Sequence, residues 1–90
     1  MLRLVRAAGL PRPDVNQRIG EFEVDFAWRE QRLVVEVDGF AFHGDRVAFE
    51  RDRERDAALQ AAGWRVIRLT WRRLAERPEA AIATLARVLG

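Results

Sequence analysis

The sequence predicts a small mixed α/β domain in which an antiparallel strand meander leads into a strand–helix–strand unit, with helices covering the sheet. Three observations predict this. Residues 22–28 (Phe-Glu-Val-Asp-Phe-Ala-Trp) alternate apolar and polar side chains, the period of a half-buried strand. Residues 33–38 (Leu-Val-Val-Glu-Val-Asp) form a short, valine-rich run stopped by Gly39. A helical stretch over 46–62, closed by Gly63, then leads to a further apolar run over 64–70. Strands joined by such a helix run parallel, through a right-handed crossover, and are candidates for neighbours in the sheet.

The elements follow in order. Residues 2–9 suit a short helix ending at Gly9, after which Pro11 and Pro13 enforce an extended connection. Val15 to Ile19 is a candidate first strand, with Gly20-Glu21 as the turn into the strand at 22–28. Residues 29–32 are a polar break before the strand at 33–38. Phe40 to Gly44 is a short loop carrying the single histidine, His43, and Asp45 is a suitable N-cap for the long helix. Thr70 suits the N-cap of a short helix from Trp71. Pro78 suits the first turn of a last helix that places Ile82, Leu85, Val88 and Leu89 on one side.

Ninety residues make one domain, 1–90, and 49% hydrophobic content is enough for a core. The chain has no cysteine, which excludes disulfides and cysteine-ligated metal, and fits a reducing compartment. No apolar run approaches a membrane span, so a cytoplasmic location without membrane association is expected. The 16 basic residues are all arginine, against 14 acids, for a net charge of +2. GC-rich coding explains that bias readily. It still equips the surface with planar, bidentate phosphate-binding groups.

The acids carry the chemistry. Alternation puts Phe22, Val24, Phe26 and Trp28 on one face of their strand, and Glu23, Asp25 and Ala27 on the other. In the following strand Val34, Glu36 and Asp38 share a face. A four-residue loop pairs Trp28 with Leu33, which carries the register on to Phe26 with Val35, Asp25 with Glu36, and Glu23 with Asp38. Four carboxylates then gather on one face. Opposed like charges destabilise a sheet unless a cation joins them. Magnesium, which takes one or two carboxylates and keeps several waters, suits such a pair. The alternative is that these acids are the wet face of a half-exposed hairpin.

These residues also carry a resemblance. Val24-Asp-Phe, a gap, and Val34-Val-Glu-Val-Asp-Gly-Phe-Ala-Phe-His43 resemble a DUF559-type protein. So do Ala8-Gly-Leu-Pro-Arg-Pro-Asp-Val-Asn16, Phe49-Glu-Arg-Asp-Arg-Glu-Arg-Asp56 and Ala62-Gly-Trp-Arg-Val-Ile-Arg-Leu-Thr-Trp71. That family belongs to the very-short-patch-repair (Vsr-like) branch of the restriction-endonuclease-like superfamily. The resemblance implies a restriction-endonuclease-like core and a metal-dependent phosphodiesterase. Asp25 matches the first acid of the superfamily pattern and Glu36 the second, with the Val37 backbone carbonyl as a further metal ligand. Asp38 stands where many members carry lysine, and His43 where the repair branch places a histidine. With no lysine in the chain, the base or charge-stabilising role passes to His43, Asp38 or an arginine.

The expected function is therefore a DNA endonuclease dependent on Mg2+ or Mn2+, cutting one strand per site as a nickase would. Its expected catalytic residues are Asp25, Glu36, Asp38 and His43. The alternative is a catalytically weak or inactive nucleic-acid-binding module on the same fold. Arg68, Arg72 and Arg73 cluster around the last strand as candidate phosphate contacts. Phe49, Asp52, Asp56 and Leu59 fall along one side of the long helix; the charge run is read first as structural ion pairs, but if Phe49 and Leu59 pack on the sheet, Asp52 or Asp56 lies near it and Arg53 or Arg55 can orient site carboxylates. Trp64 and Trp71 are expected as core anchors, with base-stacking platforms as the alternative. Phe40 and Phe42 are candidates for either core packing or contact with DNA.

Overall fold

The computed structural model describes residues 1–39 and 46–90. The expected Asp45 cap and the loop bearing Phe40, Phe42 and His43 lie outside the described residues. Eight elements follow in order: α1 (Leu2–Ala7), β1 (Asp14–Ile19), β2 (Phe22–Trp28), β3 (Leu33–Asp38), α2 (Arg46–Ala61), β4 (Arg65–Thr70), α3 (Trp71–Glu76) and α4 (Pro78–Leu89). The sheet has the order β1-β2-β3-β4. The first three strands are antiparallel neighbours, and β3 and β4 pair in parallel through the α2 crossover.

Local chemistry explains the joins. The β1–β2 hairpin closes on a two-residue loop, Gly20-Glu21, between the pair Ile19 and Phe22. Positive φ falls at Gly20 and not at Glu21, the pattern of a II′ turn that matches strand twist. Helix α2 ends in a Schellman motif. Gly63, at φ 93°, donates its N–H to Gln60 O, and Trp64 donates to Leu59 O, each at 3.0 Å. The accompanying Leu59–Trp64 contact starts β4 inside the core. The Thr70 hydroxyl accepts the Arg73 N–H at 3.0 Å and caps α3, as expected. Among the described residues no helix is long and apolar enough to cross a membrane.

The sheet buries both faces. On one, Phe26, Trp28, Leu33 and Val35 pack against Val5 of α1 and Leu85 of α4, with Ile67, Leu69 and Ile82 around them. On the other, Val24, Ala27, Val34 and Trp64 pack against Leu59 of α2, with Phe22 and Val66 at the margin. Strand β3 alternates between these layers as expected.

Strand β2 does not keep its alternation. Phe22 and Val24 face α2, whereas Phe26 and Trp28 face α4, so the four residues expected on one face divide between two. The strand turns over at Asp25. The β1–β2 register passes over Asn16 and Asp25, and Asn16 takes the left-handed region at φ 52°. That local twist turns the Asp25 side chain toward β3.

Two aromatic expectations also fail. Trp71 is 53% exposed and Phe49 is 48% exposed, so neither is a core anchor. The inner surface of α2 is instead partly ionic, with Asp52, Arg55 and Asp56 meeting the sheet and Leu59 as its buried apolar residue.

Candidate active site

The site begins where two strands part. The β2–β3 ladder runs Trp28 with Leu33, Ala27 with Val34 and Phe26 with Val35, in the expected register. At the next pair the backbones stop hydrogen-bonding each other and carboxylates take over. Asp25 donates its backbone N–H to Glu36 Oε2 at 3.0 Å. Val37 donates its backbone N–H to Asp25 Oδ2 at 2.9 Å. Each acid thus satisfies a backbone donor that the parted ladder would orphan. The arrangement holds both carboxylates against each other, with Val37 next after Glu36 along β3.

Glu36 is 4% exposed. Burial pushes its carboxyl up to about 7 from an ordinary 4.5, and the neighbouring Asp25 adds to the rise. The Asp25 N–H and the Arg55 guanidinium oppose it without cancelling it. Arg55 reaches in from α2, pairing through Nη2 with Glu36 Oε1 and with the Glu23 carbonyl. Its Nε is buried and has no hydrogen-bond partner among the described residues. The Phe22 ring lies 5.9 Å from its guanidinium carbon.

A second ionic cluster braces the first. Arg68 of β4, the parallel partner of Glu36, grips Asp56 of α2 with two hydrogen bonds, Nε to Oδ2 at 2.9 Å and Nη2 to Oδ1 at 2.8 Å. Its Nη1 donates to both oxygens of Asp38, at 3.1 and 3.2 Å. Asp52 stands 3.9 Å from the same nitrogen. The two hydrogen bonds to Asp56 raise the Arg68 guanidinium further above its ordinary range. One arginine therefore locks β3, β4 and α2 at the end of the sheet that carries Glu36.

The structure brings Asp25, Glu36 and Val37 together. It does not gather four carboxylates. Glu23 is exposed and pairs across from Arg18 of β1, while Asp38 is held by Arg68. Among the described residues no group of three or more His, Asp or Glu side chains is placed to hold a metal ion. The reason is that the strands part and arginines fill the space between acids. His43 lies outside the described residues. Arg72 pairs with Glu76 on the exposed face of α3, and Arg73 is exposed beside it.

Arg55, Arg68 and Asp56 are the site neighbours whose pairings the sequence only hinted at. Arg68 stands between Ile67 and Leu69 and shares a face with Val66, and an arginine in an apolar strand demands a buried acid. Helical spacing places Asp52, Arg55 and Asp56 on one side of α2. For the turnover at Asn16 the sequence offers no comparable signal.

The donor set still suits a hard cation. Two carboxylates abut, and one arginine offsets part of their charge. Magnesium needs only one or two carboxylates alongside waters.

The model of the REase_MTES_1575 family matches residues 2–89. The uncharacterized proteins MT2308 (strain CDC 1551 / Oshkosh) and Rv2248 (strain ATCC 25618 / H37Rv) of Mycobacterium tuberculosis are each 34% identical over 86 residues. Those matches cover 90% of this chain and 32% of each relative, so the chain spans about a third of their length. Among solved structures, the catalytic domain of the homing endonuclease I-Bth0305I superposes with a TM-score of 0.76 at 14% identity. That superposition covers 96% of this chain and 85% of the other, and is a likeness of fold. The mixed four-stranded sheet with its flanking helices is a restriction-endonuclease-like fold, and the chain belongs to the REase_MTES_1575 family.

Proposed function

We propose that this domain is a divalent-metal-dependent endonuclease that hydrolyses phosphodiester bonds in DNA, one strand per site. The observation that carries this reading is the apposition of Asp25 and Glu36 at the parted end of β2 and β3, each fixed by a backbone N–H of the other strand. Asp25, Glu36 and the Val37 carbonyl are the residues that would hold magnesium or manganese. The ion supplies a water of lowered pKa and positive charge for the phosphodiester.

The chain's own residues supply orientation. Arg55 restrains Glu36 through Oε1, and the Val37 N–H restrains Asp25. Asp38, with both oxygens on Arg68, is a positioning residue that ties β3 to β4 and α2. His43, five residues beyond Asp38, is the proposed proton acceptor, a role for which histidine as a residue type is suited. Arg68 is committed to carboxylates, which leaves Arg72 and Arg73 as the exposed candidates for phosphate contact. The Asp25, Glu36 and His43 spacing favours the Vsr-like branch within the superfamily.

Two observations favour a second reading. Arg55 already occupies Glu36 Oε1, and the chain carries no lysine to stabilise the attacked phosphate. A module that binds DNA without cutting it would show both features. Supercoiled plasmid incubated with magnesium or manganese separates the two. The nuclease reading predicts metal-dependent nicking that disappears in Asp25→Ala and Glu36→Ala. Plasmid binding with no nicking by the folded protein would overturn it.

A further inference from the structure

We infer that Trp71 is a base-stacking platform for an unpaired nucleic-acid base at the edge of the sheet that carries the site acids, an inference that rests on the nuclease reading. The parallel register sets Asp38 beside Thr70, so Trp71 is the first residue beyond the strand end that neighbours Asp38. It is 53% exposed, although a tryptophan normally finds burial in a small core. Thr70 caps α3 and fixes the direction in which that helix leaves the sheet. Leu74, one turn on, supplies the buried anchor of α3, so Trp71 is not needed to seat it. Among the described residues no cation or aromatic ring is seated on its indole, whereas Arg32 lies over Trp64 and Arg53 over Phe49.

Charge selects the occupant. Residues 71–77 carry three arginines against one glutamate, an anion-attracting surround for an aromatic face. An exposed π-face with arginines next to it in sequence has the chemistry of single-strand nucleic-acid binding, because every base offers a stacking surface and every phosphate a charge. An unpaired base held there would set the adjoining backbone beside Asp38 and hence beside Glu36, two residues back along β3. The surface therefore favours DNA with an opened or frayed strand over fully paired duplex.

Trp28 and Trp64 are 2% and 8% exposed, so Trp71 is the tryptophan that solvent and ligand reach. The test titrates the full chain with a single-stranded DNA oligonucleotide in EDTA, which prevents cleavage. Binding is followed by anisotropy of a labelled strand and stacking by tryptophan emission with an unlabelled one. The expected result is saturable quenching that Trp71→Leu abolishes, with binding weakened about 5- to 150-fold. Trp71→Phe keeps an aromatic face and is expected to bind within a few-fold of the native chain. If Trp71→Leu fails to fold, quenching of the native chain and binding by Trp71→Phe still decide the matter. Emission unchanged at saturation, or native affinity in a folded Trp71→Leu, overturns the stacking role while leaving the nuclease reading intact. No binding to any oligonucleotide at low salt overturns both.

Discussion

Replacing Arg68 with methionine tests whether the second ionic cluster holds the site end of the sheet together. The substitution keeps most of the apolar stem and removes the guanidinium that grips Asp56, Asp38 and Asp52. Asp56 is 8% exposed, so its charge would remain inside without a partner. Stranding a buried charge costs about 3–5 kcal/mol, whereas exposed pairs contribute about 0–1 kcal/mol. The side chains of Arg68 and Asp38 are each 21% exposed and that of Asp52 is 28% exposed, which places the cost between these limits, at about 2–3 kcal/mol. For a domain of this size that lowers the melting temperature by about 10–20 °C. Urea and thermal unfolding followed by far-ultraviolet circular dichroism measure it. Arg72→Met is the control, since Arg72 pairs with Glu76 on an exposed helix face and its loss should cost about 0.5 kcal/mol or less. Adding Asp56→Asn to Arg68→Met should recover part of the deficit. If Arg68→Met is no worse than Arg72→Met, the cluster is surface decoration and the reasoning fails.

Glu36 makes stability fall as pH rises. Its folded pKa of about 7 lies above the ordinary 4.5 of the unfolded chain, so the cost of ionising it is absent below about 4.5 and complete above about 7, where it reaches about 3 kcal/mol. Chemical denaturation at several pH values should show this slope in the native chain and lose it in Glu36→Gln; superimposable profiles would refute it. Arg55→Met frees Glu36 Oε1 and removes a competing positive charge. Manganese titrated into that variant should bind about tenfold more tightly than to the native chain, and weaker binding would show that Arg55 builds the cation site instead of competing for it. Leu85→Ala, at a residue fully buried between α4 and the sheet, should cost about 2–5 kcal/mol in urea unfolding without altering metal affinity.

The sequence was most legible where one periodicity governed a whole element. The strands at 22–28 and 33–38 appear with the expected bounds, the start of the long helix matches, and its end lies within a residue, because turn and cap residues mark their ends. The register from Trp28–Leu33 to Phe26–Val35 was fixed by loop length and apolar matching, both local signals. Legibility stopped at Asp25. Strand alternation assumes an unbroken pleat, and the left-handed Asn16 opposite Asp25 breaks it. The acids therefore meet through each other's backbone N–H groups and not as side chains standing in a row. The arginines were the other gap. Sixteen of them are spread along the chain, and beyond the apolar neighbours of Arg68 and the helical spacing of Arg55 it is tertiary packing that separates these two, drawn inward by acids, from exposed Arg72 and Arg73. Trp71 was expected inside because aromatics usually are, and Phe49 shares a helix side with buried Leu59, yet both are exposed.

The nuclease reading stands on Asp25 and Glu36 forming a divalent-cation site. A crystal of the protein soaked in manganese, with diffraction recorded near the manganese absorption edge, tests it most directly. The expected result is an anomalous peak bridging the Asp25 and Glu36 carboxylates within ligand distance of the Val37 carbonyl, and no such peak in Asp25→Ala. Arg55 still seated on Glu36 with no anomalous density between the two acids at saturating manganese would contradict it.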